Sequence, residues 1–318
     1  MTLSSQITGN DFFADIDMGV GTWAWGDRLY WGYGDAYGEF EIQEAFNESI
    51  ASGITFFDTA EVYGQGKSEL LLGKLIKTTK APLKIATKMM PFPWRISARS
   101  LKKALTASLK RLGLSKIDLY QMHWPLKPVP VTEWMNRMAD LVEEGLVIAV
   151  GVSNYNLGQI ISAHEVLRKR GLALTSVQLE YHLLNRNVEH NGIMDYCREQ
   201  GIKLISYSPL ASGVLTGKYS AQNPPRGGRA IQYDRSRLEK IQPLLRTMIR
   251  IGNEHDGKTA GQVALNWIMR KGALPIPGAK NIDQMAQNLG ARGWQLEESE
   301  MGMLDEISRQ VTQPIIKN

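Results

Sequence analysis

An α/β chain folded as a closed (β/α)8 barrel is what this sequence predicts, and three observations carry the prediction. Eight short runs rich in β-branched and apolar residues recur along the 318 residues. Amphipathic stretches with helical spacing separate them. Six successive gaps between run starts measure roughly 27 to 35 residues, enough for a strand and a returning helix.

MGVGTWAWG from Met18 is the weakest run. GITFFDTA from Gly53, LKIATK from Leu83, IDLYQMH from Ile117, VIAVGVSN from Val147, TSVQLEY from Thr175, KLISYSPL from Lys203 and ALPIPG from Ala273 complete the set. Most are continuously apolar rather than alternating, as strands covered on both faces are. Between them, Ile42, Ala45, Phe46, Ser49 and Ile50 fall at helical spacing, and so do Leu101, Leu105, Ser108, Leu109 and Leu112. An open doubly wound sheet is the alternative arrangement of such units. It begins with a glycine fingerprint at the first strand-to-helix turn, and Gly19, Gly21 and Gly26 do not match G-x-G-x-x-G. A barrel of the TIM type, one domain over 1–318, is therefore preferred. From Lys203 to Ala273 the chain needs one helix yet also holds GKYSAQNPPRGGRAIQYD, which predicts a long loop after strand 7 at the barrel mouth.

Hydrophobic residues make up 43% and charged residues 22%, which predicts a sizeable core. The net charge of +5 suits anionic small molecules and nucleic acid alike and assigns neither by itself. Cys197 is the sole cysteine, so no intrachain disulfide forms and a reducing compartment is expected. The first arginine is Arg28, and no apolar run approaches the ~18 residues of a membrane span. The expected location is cytoplasmic, with no membrane or nucleic-acid partner. The histidines at 123, 164, 182, 190 and 255 lack ligand spacing, and no metal is expected.

The carboxyl ends of barrel strands form the working face. Reading only those ends yields Asp58, Lys88, His123, Ser153-Asn154, Gln178, Tyr207-Ser208 and Pro277-Gly278, with Tyr63 in the loop after Asp58. Each alone has a plain structural role open to it; the convergence of four on one mouth favours chemistry. In FFDTAEVYGQGKSE, a strand ending on Asp58 fixes a carboxylate, and a short glycine-bearing loop lets Tyr63 turn back over the mouth. An ammonium beside a phenol favours the phenolate and lowers its pKa from ~10, and Asp58 would hold the Lys88 ammonium in place. That combination predicts a general acid usable near neutral pH.

These motifs resemble the aldo-keto reductase family, from GVGTWAWG near Gly19 to IPGAKNIDQMAQN ending at Asn288. FDTAEVYG, IATK, YQMHWP, GVSN, QLEYHLL and SYSPLASGVLTGKY carry the resemblance. GTWAWGDRLYWGYG is more particularly similar to the cyanobacterial and plastid, pyridoxal-reductase-like branch. The resemblance implies NADPH-dependent reduction of aldehydes or ketones to alcohols, with a small-molecule carbonyl compound as partner. It puts the family's tetrad on Asp58, Tyr63, Lys88 and His123. Tyr63 would protonate the carbonyl oxygen, His123 would orient it, and nicotinamide would deliver hydride to the carbon.

Cofactor contacts carry over likewise. Gly21, Thr22, Trp23 and Asp58 are expected beside the cofactor. Ser153, Asn154 and Gln178 match the carboxamide clamp, and Tyr207 matches the ring stacked beneath nicotinamide. Ser208, Pro209, Leu210, Ala211, Gly213, Leu215 and Lys218 match the pyrophosphate loop, where small residues let a phosphate approach the main chain. Many members read Ile-Pro-Lys-Ser at the last motif, then an arginine, and hold the 2′-phosphate there. Here Ile276-Pro277-Gly278-Ala279-Lys280 stands instead, with Gln284 at the arginine position. Lys280 restores one charge, and NADH use stays open beside NADPH. Gln287 and Asn288 match the adenine-side contacts.

The segment from Tyr219 to Tyr233 is expected to cover the cofactor, with Arg226 or Arg229 reaching its pyrophosphate. Trp23, Trp25, Trp31, Trp94 and Trp124, all at or just after strand ends, are expected to wall a pocket for planar or apolar carbonyl compounds. Two alternatives stay open: a lyase whose Lys88 forms a Schiff base, and a cofactor-binding regulatory subunit like those of potassium channels. The sequence assigns no oligomeric state.

Overall fold

Eight parallel strands pair in chain order in the computed structural model, which describes residues 7–225 and 227–312. They are β1 (Val20–Gly21), β2 (Phe56–Asp58), β3 (Lys84–Met89), β4 (Ile117–Met122), β5 (Val147–Ser153), β6 (Leu174–Glu180), β7 (Lys203–Tyr207) and β8 (Leu274–Pro275). The sheet closes on itself: Gly19 N donates to the Pro275 carbonyl at 3.0 Å and Gly21 N to the Pro277 carbonyl at 3.2 Å. A Cβ on Gly21 would sit 2.8 Å from the Ile276 carbonyl oxygen, so only glycine lets the closing strands approach there. β8 is short because Pro275 and Pro277 have no N–H to give a ladder.

Side chains two apart on a strand share a face. Phe56, Ala86, Leu119, Ala149, Ile205 and Leu274 form one buried apolar layer inside the barrel. Phe12, Phe13 and Ile16, from the segment that opens with the helix Gly9–Phe12, pack onto that layer. Two residues further along their strands come Asp58, Lys88, Gln121 and Tyr207, so the apolar floor gives way to polar groups toward the carboxyl ends. Outside, helices cover the strands, and the larger core lies between the two layers. The helix Ala98–Leu112 is one example. Ser97 Oγ accepts from Ser100 N at its start, and Gly113 ends it at φ 70°.

After β7 comes the expected long excursion, and it carries short elements of its own. The 3-10 turn Ala211–Thr216 and the short helices Gly228–Gln232 and Arg235–Lys240 occupy that stretch, followed by the helices Gln242–Glu254 and Ala260–Arg270. The segment is anchored: Tyr233 and Leu238 are buried, and Asp234 caps the helix Arg235–Lys240 by accepting from Arg237 N at 2.8 Å. Arg226, expected to reach the cofactor, lies outside the described residues. Cys197 is buried in the helix Ile193–Glu199, and burial pushes its thiol up to about 12, which makes it an inert filler. Among the described residues no helix is long and apolar enough to cross a membrane.

Candidate active site

Asp58, at the end of β2, anchors a buried polar layer. Lys88 from β3 donates to Asp58 Oδ1, while Gln121 from β4 and Gln178 from β6 donate their amides to Asp58 Oδ2 at 3.0 and 2.9 Å. The Lys88 ammonium also donates to the Thr59 carbonyl at 2.9 Å and to Tyr63 Oη at 3.2 Å, so all three of its protons are engaged. Asp58 is 1% exposed and Lys88 fully buried. Such a pair persists only when the remaining lone pairs and protons are matched, and here they are. Gln121 escaped the sequence reading. The available signal was its position two residues before His123, a polar side chain on the same strand face.

Tyr63 begins the 3-10 turn Tyr63–Gly66, in which Gly64 and Gln65 take left-handed φ of 53° and 57°. A Cβ on Gly64 would sit 2.6 Å from the Gly26 carbonyl, so this glycine allows the loop to press against the segment after β1. The loop thereby carries the phenol back onto Lys88. Its ring lies 5.6 Å from the His123 ring, edge to face, and 6.2 Å from Trp23. The expected lowering of the phenol is not the net result. Burial raises the Tyr63 pKa above the ordinary value, and the Lys88 charge works in the other direction without overcoming it. Burial alone would lower Lys88, but Asp58 and the Tyr63 phenol raise it on balance, so the ammonium stays charged. The pair therefore presents a protonated phenol next to a fixed positive charge.

His123, just past β4, is 8% exposed, and its Nδ1 has no hydrogen-bond partner. Burial and then Lys88 lower its pKa to about 3, leaving a neutral imidazole. Its backbone carbonyl accepts from Asn154 Nδ2 at 3.1 Å. Asn154 sits at φ 63°, receives a hydrogen bond from Tyr207 Oη at 2.9 Å, and donates to Ser153 Oγ at 3.1 Å. Ser153, Asn154, Gln178 and Tyr207 thus converge at the carboxyl ends of β5, β6 and β7. Ser208, Ala211 and Ser212 continue with φ of 48°, 50° and 55°, and Gly213 with 89°. Of six non-glycine residues with positive φ among the described residues, five belong to the mouth, and only Asp256 lies elsewhere. Strain concentrated in this way marks functional backbone. Pro209, Leu210 and Leu215 belong to this stretch, with Pro209 and Leu215 buried, while Lys218 is exposed just beyond.

Across the mouth, Thr22 is buried and donates to the Asp58 carbonyl at 3.0 Å. After β8, Gly278 is exposed, and its carbonyl accepts from the buried Asn288 Nδ2 at 3.2 Å. Gln284 occupies its oxygen by accepting from Lys280 N at 3.1 Å, and Gln287 is exposed. Lys280 Nζ donates to the Trp31 carbonyl at 3.0 Å and lies 4.8 Å from the ring centres of both Trp31 and Tyr37.

The tryptophans divide. Trp23, Trp94 and Trp124 are 38%, 73% and 42% exposed, available to a ligand. Trp25 is not a pocket wall. It is fully buried, donates its indole N–H to the Ala279 carbonyl at 2.8 Å and packs near Phe57. An irregular loop gives no periodicity to distinguish Trp23 from Trp25. Trp31 contacts Trp23 edge to face at 5.5 Å and turns toward Lys280. Among the described residues no group of histidine, cysteine and carboxylate side chains is assembled to hold a metal ion.

Residues 17–309 match the model of the aldo/keto reductase family. Over 314 residues the chain is 40% identical to a chloroplastic pyridoxal reductase of Arabidopsis thaliana, covering 95% of this chain and 85% of the relative. A glycerol dehydrogenase structure from Gluconobacter oxydans is 25% identical, with a TM-score of 0.82 over 95% of this chain and 94% of the other. An aldo-keto reductase from Klebsiella pneumoniae in complex with NADPH is 26% identical, with a TM-score of 0.73 over 100% and 98%.

Proposed function

Because the chain belongs to the aldo/keto reductase family, we propose that it reduces aldehydes or ketones to alcohols with NADPH, Tyr63 acting as general acid. The whole chain, 1–318, would serve as one catalytic domain. The observation that carries this reading is the Tyr63 phenol held at 3.2 Å by a charged, fully hydrogen-bonded Lys88. The residues suit a nicotinamide dinucleotide. Amide and hydroxyl side chains gather at Ser153, Asn154 and Gln178, Tyr207 offers a ring, and the positive-φ backbone from Ser208 to Gly213 offers close approach for phosphate. When bound, nicotinamide supplies hydride to the carbonyl carbon.

The chain's own residues do the rest. Lys88 donates to Tyr63 Oη, which leaves the phenolic proton free to pass to the carbonyl oxygen as the C–O π electrons move onto it. The ammonium then stabilises the phenolate that remains. Neutral His123 can donate an imidazole N–H to the same oxygen without bringing a charge. Asp58 keeps the ammonium in position, with Gln121 and Gln178 on its other oxygen. Trp23, Trp94 and Trp124 offer apolar faces to a flat substrate, and the pyridoxal reductase relative favours including aromatic aldehydes. A Schiff base at Lys88 is disfavoured, since it needs a neutral amine and this one is raised and saturated. A panel of carbonyl compounds, pyridoxal among them, assayed with NADPH and with NADH is the test. Steady cofactor consumption supports turnover; binding without consumption of either cofactor favours the regulatory reading instead.

A further inference from the structure

Three cations, Lys280, Arg229 and Lys218, gather around the rings of Trp31 and Tyr219. Lys280 Nζ lies 4.8 Å from the Trp31 ring centre and the Arg229 guanidinium carbon 5.4 Å from it, so the two charges are no farther apart than those distances combined. Arg229 also donates to Tyr219 Oη at 2.8 Å, and Lys218 Nζ lies 5.1 Å from the Tyr219 ring. Among the described residues none of the three has a carboxylate within ion-pair distance; Asp27 is the one acid whose field acts on Lys280. Trp31 Nε1 is itself covered and without a partner. Like charges gathered on aromatic rings, with no anion among them, are arranged to receive one.

We propose that Arg229, carried by the helix Gly228–Gln232 and set over the Trp31 ring, is a second cation for the 2′-phosphate of the dinucleotide beside Lys280, and so sets NADPH preference. The inference rests on reading this chain as a dinucleotide enzyme. It differs from the sequence expectation, which gave Lys280 that phosphate alone and turned Arg229 toward the pyrophosphate. Gln284, at the position where many family members carry an arginine, accepts from the Lys280 backbone N–H. A charge brought from the segment after β7 takes that place. Trp31 is then a positioning residue: its ring lies near both Lys280 and Arg229, and its carbonyl holds the Lys280 ammonium. Arginine suits this job because a planar guanidinium stacks and still offers paired N–H groups to a phosphate.

The test uses adenosine 2′,5′-bisphosphate and adenosine 5′-phosphate, which need neither nicotinamide nor turnover, so failure of the carbonyl-reductase reading leaves it readable. Binding is measured by calorimetry on the whole protein. Arg229→Gln should weaken the bisphosphate about tenfold, the value of one charge-assisted hydrogen bond, and leave the monophosphate within about twofold. Lys280→Ala should do the same, and Trp31→Leu should lower the bisphosphate preference with both charges still present. Arg229→Lys, which keeps the charge and loses the flat stack, should fall between. Equal losses for both nucleotides in Arg229→Gln, or no loss for either, overturn the proposal. A wild-type protein that binds the two equally overturns it as well.

Discussion

Around Asp58 both carboxylate oxygens and all three Lys88 protons are matched, whereas among the described residues Lys218, Arg229 and Lys280 gather with no carboxylate within ion-pair distance. In the first cluster Asp58, Lys88, Gln121 and Gln178 stand on strand ends and are buried, Tyr63 reaches them from the loop after β2, and the bonds among them form without a ligand. The second stands on the segments after β7 and β8, partly exposed, with aromatic rings as its main neighbours. In the proposed reading the contrast separates two tasks. Proton transfer needs groups held in fixed positions and fixed charge states, which a strand-anchored network supplies. Capture of a charged ligand needs charges left unspent until the ligand comes, and connecting segments at the mouth can carry them. The electrostatics agree. In the first cluster Lys88 is raised and stays charged beside Asp58; in the second, burial together with Arg229 and Lys218 lowers Lys280 to about 8.

The largest expected effect falls on the matched cluster. Tyr63→Phe keeps the ring and removes the proton donor, so carbonyl reduction should drop ~10²–10⁴-fold while NADPH binding stays close to wild type. Turnover above about a tenth of wild type, measured with any substrate the wild type reduces, would end the assignment of Tyr63 as the acid. Loss of binding together with turnover would mean that the two clusters are not separable.

Lys88→Met should strike both stability and chemistry. It leaves the Asp58 carboxylate buried without its cation, a loss of about 3–5 kcal/mol of folding free energy, readable by denaturant titration. The lysine also draws the Tyr63 pKa downward against burial. Without it the phenol rises further, and the alkaline limb of residual alcohol oxidation should move to higher pH. An unchanged limb would show that Lys88 holds the fold but does not tune the phenol.

The smallest effect belongs to the unmatched cluster and is a matter of pH. A bound phosphate favours the charged form of Lys280, so its pKa is higher in the complex than the value of about 8 in the free protein. NADPH affinity should therefore be full below pH 8 and fall by up to about tenfold as pH rises past it, because binding must then supply a proton to the amine. NADH, lacking that phosphate, should change little. Dissociation constants for both cofactors between pH 7 and 9.5 would check this; a constant ratio of the two would remove Lys280 from the phosphate site.

Periodicity and spacing determined the barrel. Eight runs, each buried on both faces, appear as eight strands in chain order, since continuous apolar runs at regular intervals fit little else. Because strand ends face one side of a barrel, the same reading reached Asp58, Lys88, His123, Ser153, Gln178 and Tyr207. Their roles came from family resemblance rather than from spacing. Tertiary structure alone decided the remainder. Whether Lys88 lowers the Tyr63 phenol depends on how much water burial removes, and no local pattern carries that quantity. That Trp25 turns into the core while Trp23 stays at the mouth was decided by the path of an irregular loop. The stretch after β7 became short helices because Tyr233 and Leu238 found buried sites. Arg229 and Lys280, some fifty positions apart, come together because both reach Trp31, about two hundred and two hundred and fifty positions before them. Local sequence sets which backbone forms; burial, and charges brought together from distant segments, are properties of the closed barrel.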